Sequence, residues 1–213
     1  MSLSQIIQVS SGLINVVNDP VPGLASTPGG TGLSPFQGQI GKVLSLDQSM
    51  VRYDSTVGTV YEGLFQYAKL GPNATANPAV GSVVFWDLDE DPADFAVTTE
   101  EDAGGTTDAA VMIAGIVLSE EWTVGYYSFI QIVGLVDVKY RAVLTSAGAV
   151  GSAVYAAAAG GADNGLVDVV DSANPALFSD VTLLQRRFLG VANELPVGGA
   201  TSLIDLGFQR FRG

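Results

Sequence analysis

Asp87, Asp89 and Asp91 stand at D-x-D-x-D spacing inside the stretch Asp87-Leu-Asp-Glu-Asp-Pro-Ala-Asp94. Carboxylates at alternate loop positions are what a calcium loop uses to surround a hard cation with oxygen. The EF-hand pattern then requires Gly at position six and Glu at position twelve. Pro92 and Thr98 hold those places, so that motif fails. A looser Ca²⁺ or Mg²⁺ site on the three aspartates stands beside a simpler reading, a solvated acidic turn whose charge keeps a hairpin edge from pairing. Glu100, Glu101, Asp102 and the pair Glu120, Glu121 offer neighbouring carboxylates, the equipment of glycosidases, and Trp122 adjoins the second pair as a surface on which a sugar could stack. Adjacent acids in Gly- and Thr-rich loops read first as solvated surface. Trp86, Trp122 and the tyrosines suit a ligand groove, or a core and subunit contact.

Other chemistries are closed by composition. The 213 residues include no histidine and no cysteine. Disulfides, thiolate nucleophiles, Cys or His metal sites and the Ser-His-Asp triad are therefore excluded. Gly104-Gly105-Thr106-Thr107 lacks the lysine of a phosphate loop. The formal net charge is −13, from 22 acids against 9 bases. Nucleic acid and anionic membranes, which demand clustered Lys and Arg, are poor partners. Lys139, Arg141, Arg186 and Arg187 are expected to form ion pairs with the acidic turns of a neighbour. No cofactor is implied, and the chain is expected to be a non-enzyme.

The elements that must position these residues are strands. The chain is 47% hydrophobic, 15% charged and carries 26 glycines, a glycine-punctuated globular composition. The clearest stretch is Ala114–Arg141, where two β-rich runs, Ile113–Ser119 and Tyr126–Tyr140, flank a polar turn at Glu120–Gly125. In the second run the set from Ile130 to Val138 is uniformly apolar or small, so that face is expected to point inward. Its opposite face turns polar only at Asp137 and Lys139, which predicts cover on both sides for the upper part of the strand. Further strands are expected at Gln39–Leu46, Gly81–Asp87, Phe95–Thr99, Ala153–Ala157, Leu166–Val170, Phe188–Ala192 and Thr201–Phe208. Asn164-Gly165 marks a hairpin turn. Between Asp54 and Leu70 the residues Val57, Val60, Tyr61, Leu64, Phe65 and Ala68 trace a helical stripe, and a short helix capped by Asp54 or Ser55 is expected there. Val-Gly recurs at Val57, Val80, Val124, Val150 and Val197, usually before an apolar run. The irregular spacing argues against a solenoid or propeller and for repeated turn-into-strand chemistry. The fold class is thus mainly β, an antiparallel barrel or sandwich of hairpins with at most one short helix.

Ahead of this body, prolines and glycines between Asn18 and Gly38 forbid a helix and discourage a central strand. Residues 1–35 read as an extended arm, and residues 36–213 as the body, with a pre-body segment at 36–77 and a barrel at 78–213. Leu3, Ile6, Val9, Leu13, Val16, Val21, Leu24 and Phe36 are more apolar groups than a solvated tail exposes, and an arm lying along a partner surface suits them better than a disordered tail. No secretion signal is visible near Met1, and a soluble protein made in the cytoplasm is expected.

With these segments placed, the chain resembles the decoration, or cement, proteins of tailed-bacteriophage heads. The residues that carry the resemblance are Gly81-Ser-Val-Val-Phe-Trp86 with Phe95-Ala-Val-Thr-Thr99, Ala114-Gly-Ile-Val-Leu118 with Val124–Gln131 and Gly134–Val138, then Gly151-Ser-Ala-Val-Tyr155, and Leu189-Gly-Val-Ala192 before Val197. The resemblance covers roughly Pro78–Phe208. It implies a small β-barrel body with an extended N-terminal segment, bound on the outer capsid lattice of a virion, commonly as a homotrimer. The partners are then the major capsid protein and other copies of the chain, with Ile6, Leu13, Val16, Leu24, Phe36, Trp122, Arg210 and Arg212 as contact residues. It brings no catalytic residues. Two other readings are a carbohydrate-binding β-module of a head fibre or tail appendage, with Trp122, Tyr126 and Tyr127 lining the groove, and a tail-tube subunit.

Overall fold

The computed structural model describes residues 41, 43–46, 52–54, 58–60, 63–74, 76–100, 112–118, 122–157, 163–169 and 187–207. The strands in chain order are β1 (Val43–Leu46), β2 (Arg52–Asp54), β3 (Gly58–Val60), β4 (Gly63–Leu70), β5 (Val83–Trp86), β6 (Ala96–Thr98), β7 (Ile113–Val117), β8 (Tyr127–Lys139), β9 (Ala153–Ala156), β10 (Val167–Val169), β11 (Phe188–Ala192) and β12 (Thr201–Leu206). The molecule is mainly β, as its composition and punctuation predict. β2 and β3 pair with each other, and the other ten strands join one sheet.

Most of the strands expected from sequence lie where the β-branched runs put them, but the Asp54–Leu70 helix is corrected. That region holds β2, the β3 strand and β4. β4 pairs with β8 along one edge and with β1 and then β6 along the other. Phe65, Gln66, Tyr67 and Ala68 are all buried. A strand covered on both faces shows no period-two alternation, and its apolar run then mimics a helical stripe. Gly63, a penalty in a helix, is a requirement here: a Cβ at that position would sit 2.2 Å from the Val133 carbonyl oxygen across the pair with β8.

The sheet closes on itself twice. β4 pairs with β6, β6 with β5, β5 with β7, β7 with β8, and β8 returns to β4. The second circuit starts from the C-terminal half of β8, which pairs with β12; β12 pairs with β11, β11 with β9, β9 with β10, and Val167 of β10 bridges back to Tyr140. Each ring has one parallel contact, β4 with β6 in the first and the Tyr140–Val167 bridge in the second, and is otherwise antiparallel. β8 is long because it serves both rings, first as the counterpart of β12 and then as the counterpart of β4.

The rings match in detail. In both, a bulge interrupts the same pair: Val84 and Phe85 face Gly115 and Ile113, and Val154 and Tyr155 face Gly190 and Phe188. The stretch Ala79-Val-Gly-Ser82 turns with Ser82 N–H donating to Ala79 O at 3.1 Å, Gly81 N–H to Val117 O at 2.9 Å, and Val117 N–H to Ser82 O at 2.9 Å. Ala149-Val-Gly-Ser152 repeats this, with Ser152 donating to Ala149 at 3.0 Å, Gly151 to Ala192 at 2.8 Å and Ala192 to Ser152 at 2.9 Å. Gly81 and Gly151 have φ of 81° and 88°, the left-handed value that a type II turn needs at its third residue. The Val-Gly pairs at Val80 and Val150 are therefore equivalent turns of the two rings, whereas Val124-Gly125 corresponds to Gly198-Gly199 and Val57 lies outside the described residues.

β8 also corrects the expected inward face. Gln131 pairs with Phe65 and Val133 with Leu64, so Ile132 is the extra residue of a bulge, and Gly134 follows at φ 102°. Ile130 and Ile132 join an apolar cluster with Trp86, Val97, Val117 and Trp122. Val136, Val138 and Tyr140 join the other cluster, with Tyr127, Phe129, Ile116, Val154, Leu189 and Ile204. One inserted residue reverses which parity of side chains faces which core. The Gln131 amide covers the gap in the ladder by donating to Val133 O at 3.3 Å and Leu135 O at 2.8 Å. Double cover for the first half of β8 is as expected, since Tyr127 to Ile132 are all buried.

Candidate functional site

The acidic turn between β5 and β6 is built by short-range bonds. Asp87 is buried at the end of β5 and accepts from Asn73 Nδ2 at 3.1 Å and from the Asp89 N–H at 3.3 Å. Asp91 is exposed and caps the 3₁₀ turn Pro92–Asp94 by accepting from the Ala93 N–H at 2.9 Å. Asp94 pairs with Lys69 at 3.5 Å. Asp87 and Asp91 are thus spent on separate local bonds, and among the described residues no group of three or more acids is gathered as a metal would need. Phe95 follows the turn at φ 45°, a left-handed conformation unusual for a bulky residue, and it packs edge-on against Trp86 with ring centroids 6.0 Å apart.

Trp122 is not a surface residue. It is fully buried in the second apolar cluster, and its indole N–H donates to Tyr126 O at 2.9 Å. This corrects its assignment as a subunit or capsid contact, and it removes Trp122 from any sugar groove. The residue lies in the loop before β8, and a tryptophan between charged residues and a Val-Gly turn reads equally as anchor or ligand platform. Burial of the indole decides the matter. Ile6, Leu13, Val16, Leu24, Phe36, Arg210 and Arg212 lie outside the described residues, as do Glu101, Asp102, Glu120, Glu121 and Arg186.

Arg141 is used within the chain. Its guanidinium bonds Asp163 at 2.7 Å and Asp168 at 3.1 Å. Asp168 is buried on β10, where its carboxylate also accepts from the Thr145 N–H at 2.9 Å, the Val169 N–H at 2.7 Å and the Thr145 hydroxyl. A buried carboxylate ringed by donors holds the loop that follows β8 onto the second ring. Sequence spacing gives no signal for this cluster, because Arg141, Thr145 and Asp168 meet only when β8 and β10 come together.

The two rings meet where the first ring's Ala79–Ser82 turn lies against the second. Lys139 N–H donates to Gly81 O at 3.0 Å, and Val83 N–H donates to Gly165 O at 2.8 Å. A cavity of about 420 Å³ opens beside this junction, lined by Asn77, Ser82, Thr99, Glu100, Lys139 and Asn164 among others. Asn164 Nδ2 donates to Glu100 Oε1 at 3.1 Å across it. The cavity offers donors and acceptors to a small polar guest.

Titration is perturbed at the joint between β8 and β12. Burial, and then the nearby Glu194 carboxylate, raise the Asp137 carboxyl above its ordinary range. Burial pushes the Tyr140 phenol up to about 12.

The distal end of the second ring is apolar and open. Val143, Val150, Leu195 and Val197 are 76%, 64%, 59% and 51% exposed. Their loops interlock: Gly199 N–H donates to Arg141 O at 2.9 Å, Gly151 N–H to Ala192 O at 2.8 Å, and Gly148 packs so close to Pro196 that a Cβ would meet the ring at 2.7 Å. These four exposed aliphatic side chains thus sit on neighbouring loops at one end of the ring. They lie in turns, where sequence reading gives them to strand entry rather than to a surface.

No protein-family model matches the chain, and no curated protein matches it. Among the described residues no helix is long and apolar enough to cross a membrane.

Proposed function

We propose that this chain is a structural virion protein that binds the outer surface of a bacteriophage capsid and stabilises the head. The observation that supports the reading is the pairing of a doubly closed β body with exposed aliphatic side chains at one end, on a chain of net charge −13. A decoration protein needs that combination. The aliphatic side chains supply contact area across subunit junctions, the acidic balance keeps many copies soluble and clear of packaged nucleic acid, and repetition over a lattice turns weak single contacts into strong ones. The resemblance of Pro78–Phe208 to phage cement proteins points the same way, and the major capsid protein is the partner it implies. Residues 1–35 serve as the arm that adds buried area on the shell.

Co-sedimentation with expanded, undecorated capsids tests this. The full chain pellets with capsids and raises the temperature at which they rupture. The chain lacking residues 1–35 stays folded by circular dichroism and loses capsid occupancy. Full occupancy by the truncated chain removes the arm from the account, and failure of the full chain to pellet refutes the reading. Electron microscopy of decorated particles separates a head-surface site from a tail location.

A further inference from the structure

We propose that the cavity at the junction of the two rings is a binding site for a free α-amino acid with an aliphatic side chain. The lining of that cavity carries the inference, independently of the capsid reading.

The cavity has a volume of about 420 Å³, near the lower end of the roughly 300–1,000 Å³ that small-molecule sites occupy. Backbone bonds fix its walls: Lys139 N–H donates to Gly81 O at 3.0 Å and Val83 N–H to Gly165 O at 2.8 Å. Gly165 stands at φ 74°, and a Cβ there would lie 3.3 Å from Ser82 Cβ, so the β9–β10 hairpin is seated closely on the entry to β5. Thr99 lines the cavity, is only 6% exposed, and its hydroxyl oxygen is buried with no hydrogen-bond partner among the described residues. Buried hydroxyls are normally paired, because desolvation without a bond is costly. A polar atom of a guest beside Thr99 supplies the missing bond.

Two opposite charges line the same space. Lys139 is exposed and takes part in none of the ion pairs among the described residues, which join Lys69 to Asp94 and Arg141 to Asp163 and Asp168. Glu100 is held by Asn164, whose Nδ2 donates to Oε1 at 3.1 Å. A carboxylate offers about four acceptor sites, so that bond leaves capacity for an ammonium. A lone anion would meet Glu100 on a chain of net charge −13, and a lone cation would meet Lys139. A guest carrying both charges satisfies both, with its carboxylate toward Lys139 and the Thr99 hydroxyl and its ammonium toward Glu100. Ala76, Pro78, Ala79 and Leu166 form the apolar part of the lining, which suits a short aliphatic side chain. Among the described residues none that lines the cavity is aromatic, so a sugar ring or a base finds no face to stack on.

Titration of the isolated full chain with L-leucine, followed by backbone amide NMR shifts and without capsids, is the test. N-acetyl-L-leucine and L-leucinamide serve as probes that lack the ammonium and the carboxylate. L-leucine moves the amides of Ser82, Thr99 and Gly165 saturably in the millimolar range, and each capped probe binds about tenfold or more weakly, the loss expected for one charged hydrogen bond. Lys139→Met weakens L-leucine binding to the same degree, while Lys69→Met, outside the cavity lining, leaves it unchanged. Thr99→Val weakens binding without lowering the melting temperature, because the hydroxyl it removes has no partner in the fold. Absence of saturable shifts with L-leucine, equal binding of either capped probe, or binding indifferent to both Lys139→Met and Thr99→Val overturns the inference. A clear fall in the melting temperature of Thr99→Val shows the hydroxyl engaged within the fold and overturns it as well.

Discussion

Replacing Gly190 by alanine tests the bulge that both rings share. Gly190 lies in β11 opposite Leu206, at the step where the register with β9 shifts. A Cβ there would sit 1.9 Å from the Asp205 carbonyl oxygen and 2.8 Å from its carbon. Both are backbone atoms of the paired strand, so no side chain can rotate away. Relief requires β11 and β12 to part by more than an ångström, which strains the pairs Gly190–Leu206 and Val191–Asp205. Overpacking of a well-filled interior costs about 1–3 kcal/mol, and a clash against fixed backbone belongs at or above the top of that range. A loss of about 3 kcal/mol in a chain of this size lowers the melting temperature by roughly 6–12 °C. Gly115→Ala is the matched change in the first ring, where the Cβ would lie 2.6 Å from Gln131 O. Gly207→Ala is the control, since its Cβ would meet nothing within 4 Å. Urea unfolding followed by tryptophan fluorescence, with calorimetry alongside, reads all three. If Gly190→Ala melts within a degree of Gly207→Ala, the close approach of β11 to β12 is wrong, and the equivalence of the two rings loses its best physical evidence.

Two further outcomes follow from buried charge. Asp168→Asn keeps the shape but removes the charge that Arg141 and Thr145 gather around, and it destabilises the chain by about 2 kcal/mol in urea titration; a loss under about 0.5 kcal/mol would match an ordinary surface change and deny the cluster its role. Asp137 has a carboxyl raised above its ordinary value, so the folded state holds its proton more tightly than the unfolded state does. Its contribution is present in acid and is lost as pH rises from the ordinary carboxylate range through the raised folded value. Asp137→Asn, which cannot ionise, therefore gains stability relative to wild type as pH climbs through that window, and a difference that is flat or falls with pH contradicts the burial of this group.

Several strands were legible because their signal is local. β7, β8, β9, β11 and β12 announce themselves by β-branched and aromatic runs bounded by glycine turns. Asn164-Gly165 marks the β9–β10 hairpin, with Gly165 at φ 74°. β4 was hidden because both its faces are buried, which removes the alternation that identifies a strand. The parity of β8 was hidden because a single bulge residue, Ile132, is chosen by partners on β4 and not by its own neighbours. Trp122 illustrates the same limit at the level of a site: its apolar surface and indole N–H suit a groove and a core equally, and the distinction lies in which elements fold over it.

Composition and local pattern alone determined that this chain is an acidic, β-rich, glycine-turned protein without cysteine or histidine chemistry. Those properties belong to single residues and near neighbours, and they persist whatever the chain packs against. Tertiary structure alone decided that the strands close into two matching rings along β8, that Asp168 and Arg141 meet, that Trp122 is buried, and that Val143, Val150, Leu195 and Val197 come together on one open end. Each of these depends on pairings between residues far apart in sequence, where burial and register are set by the partner strand.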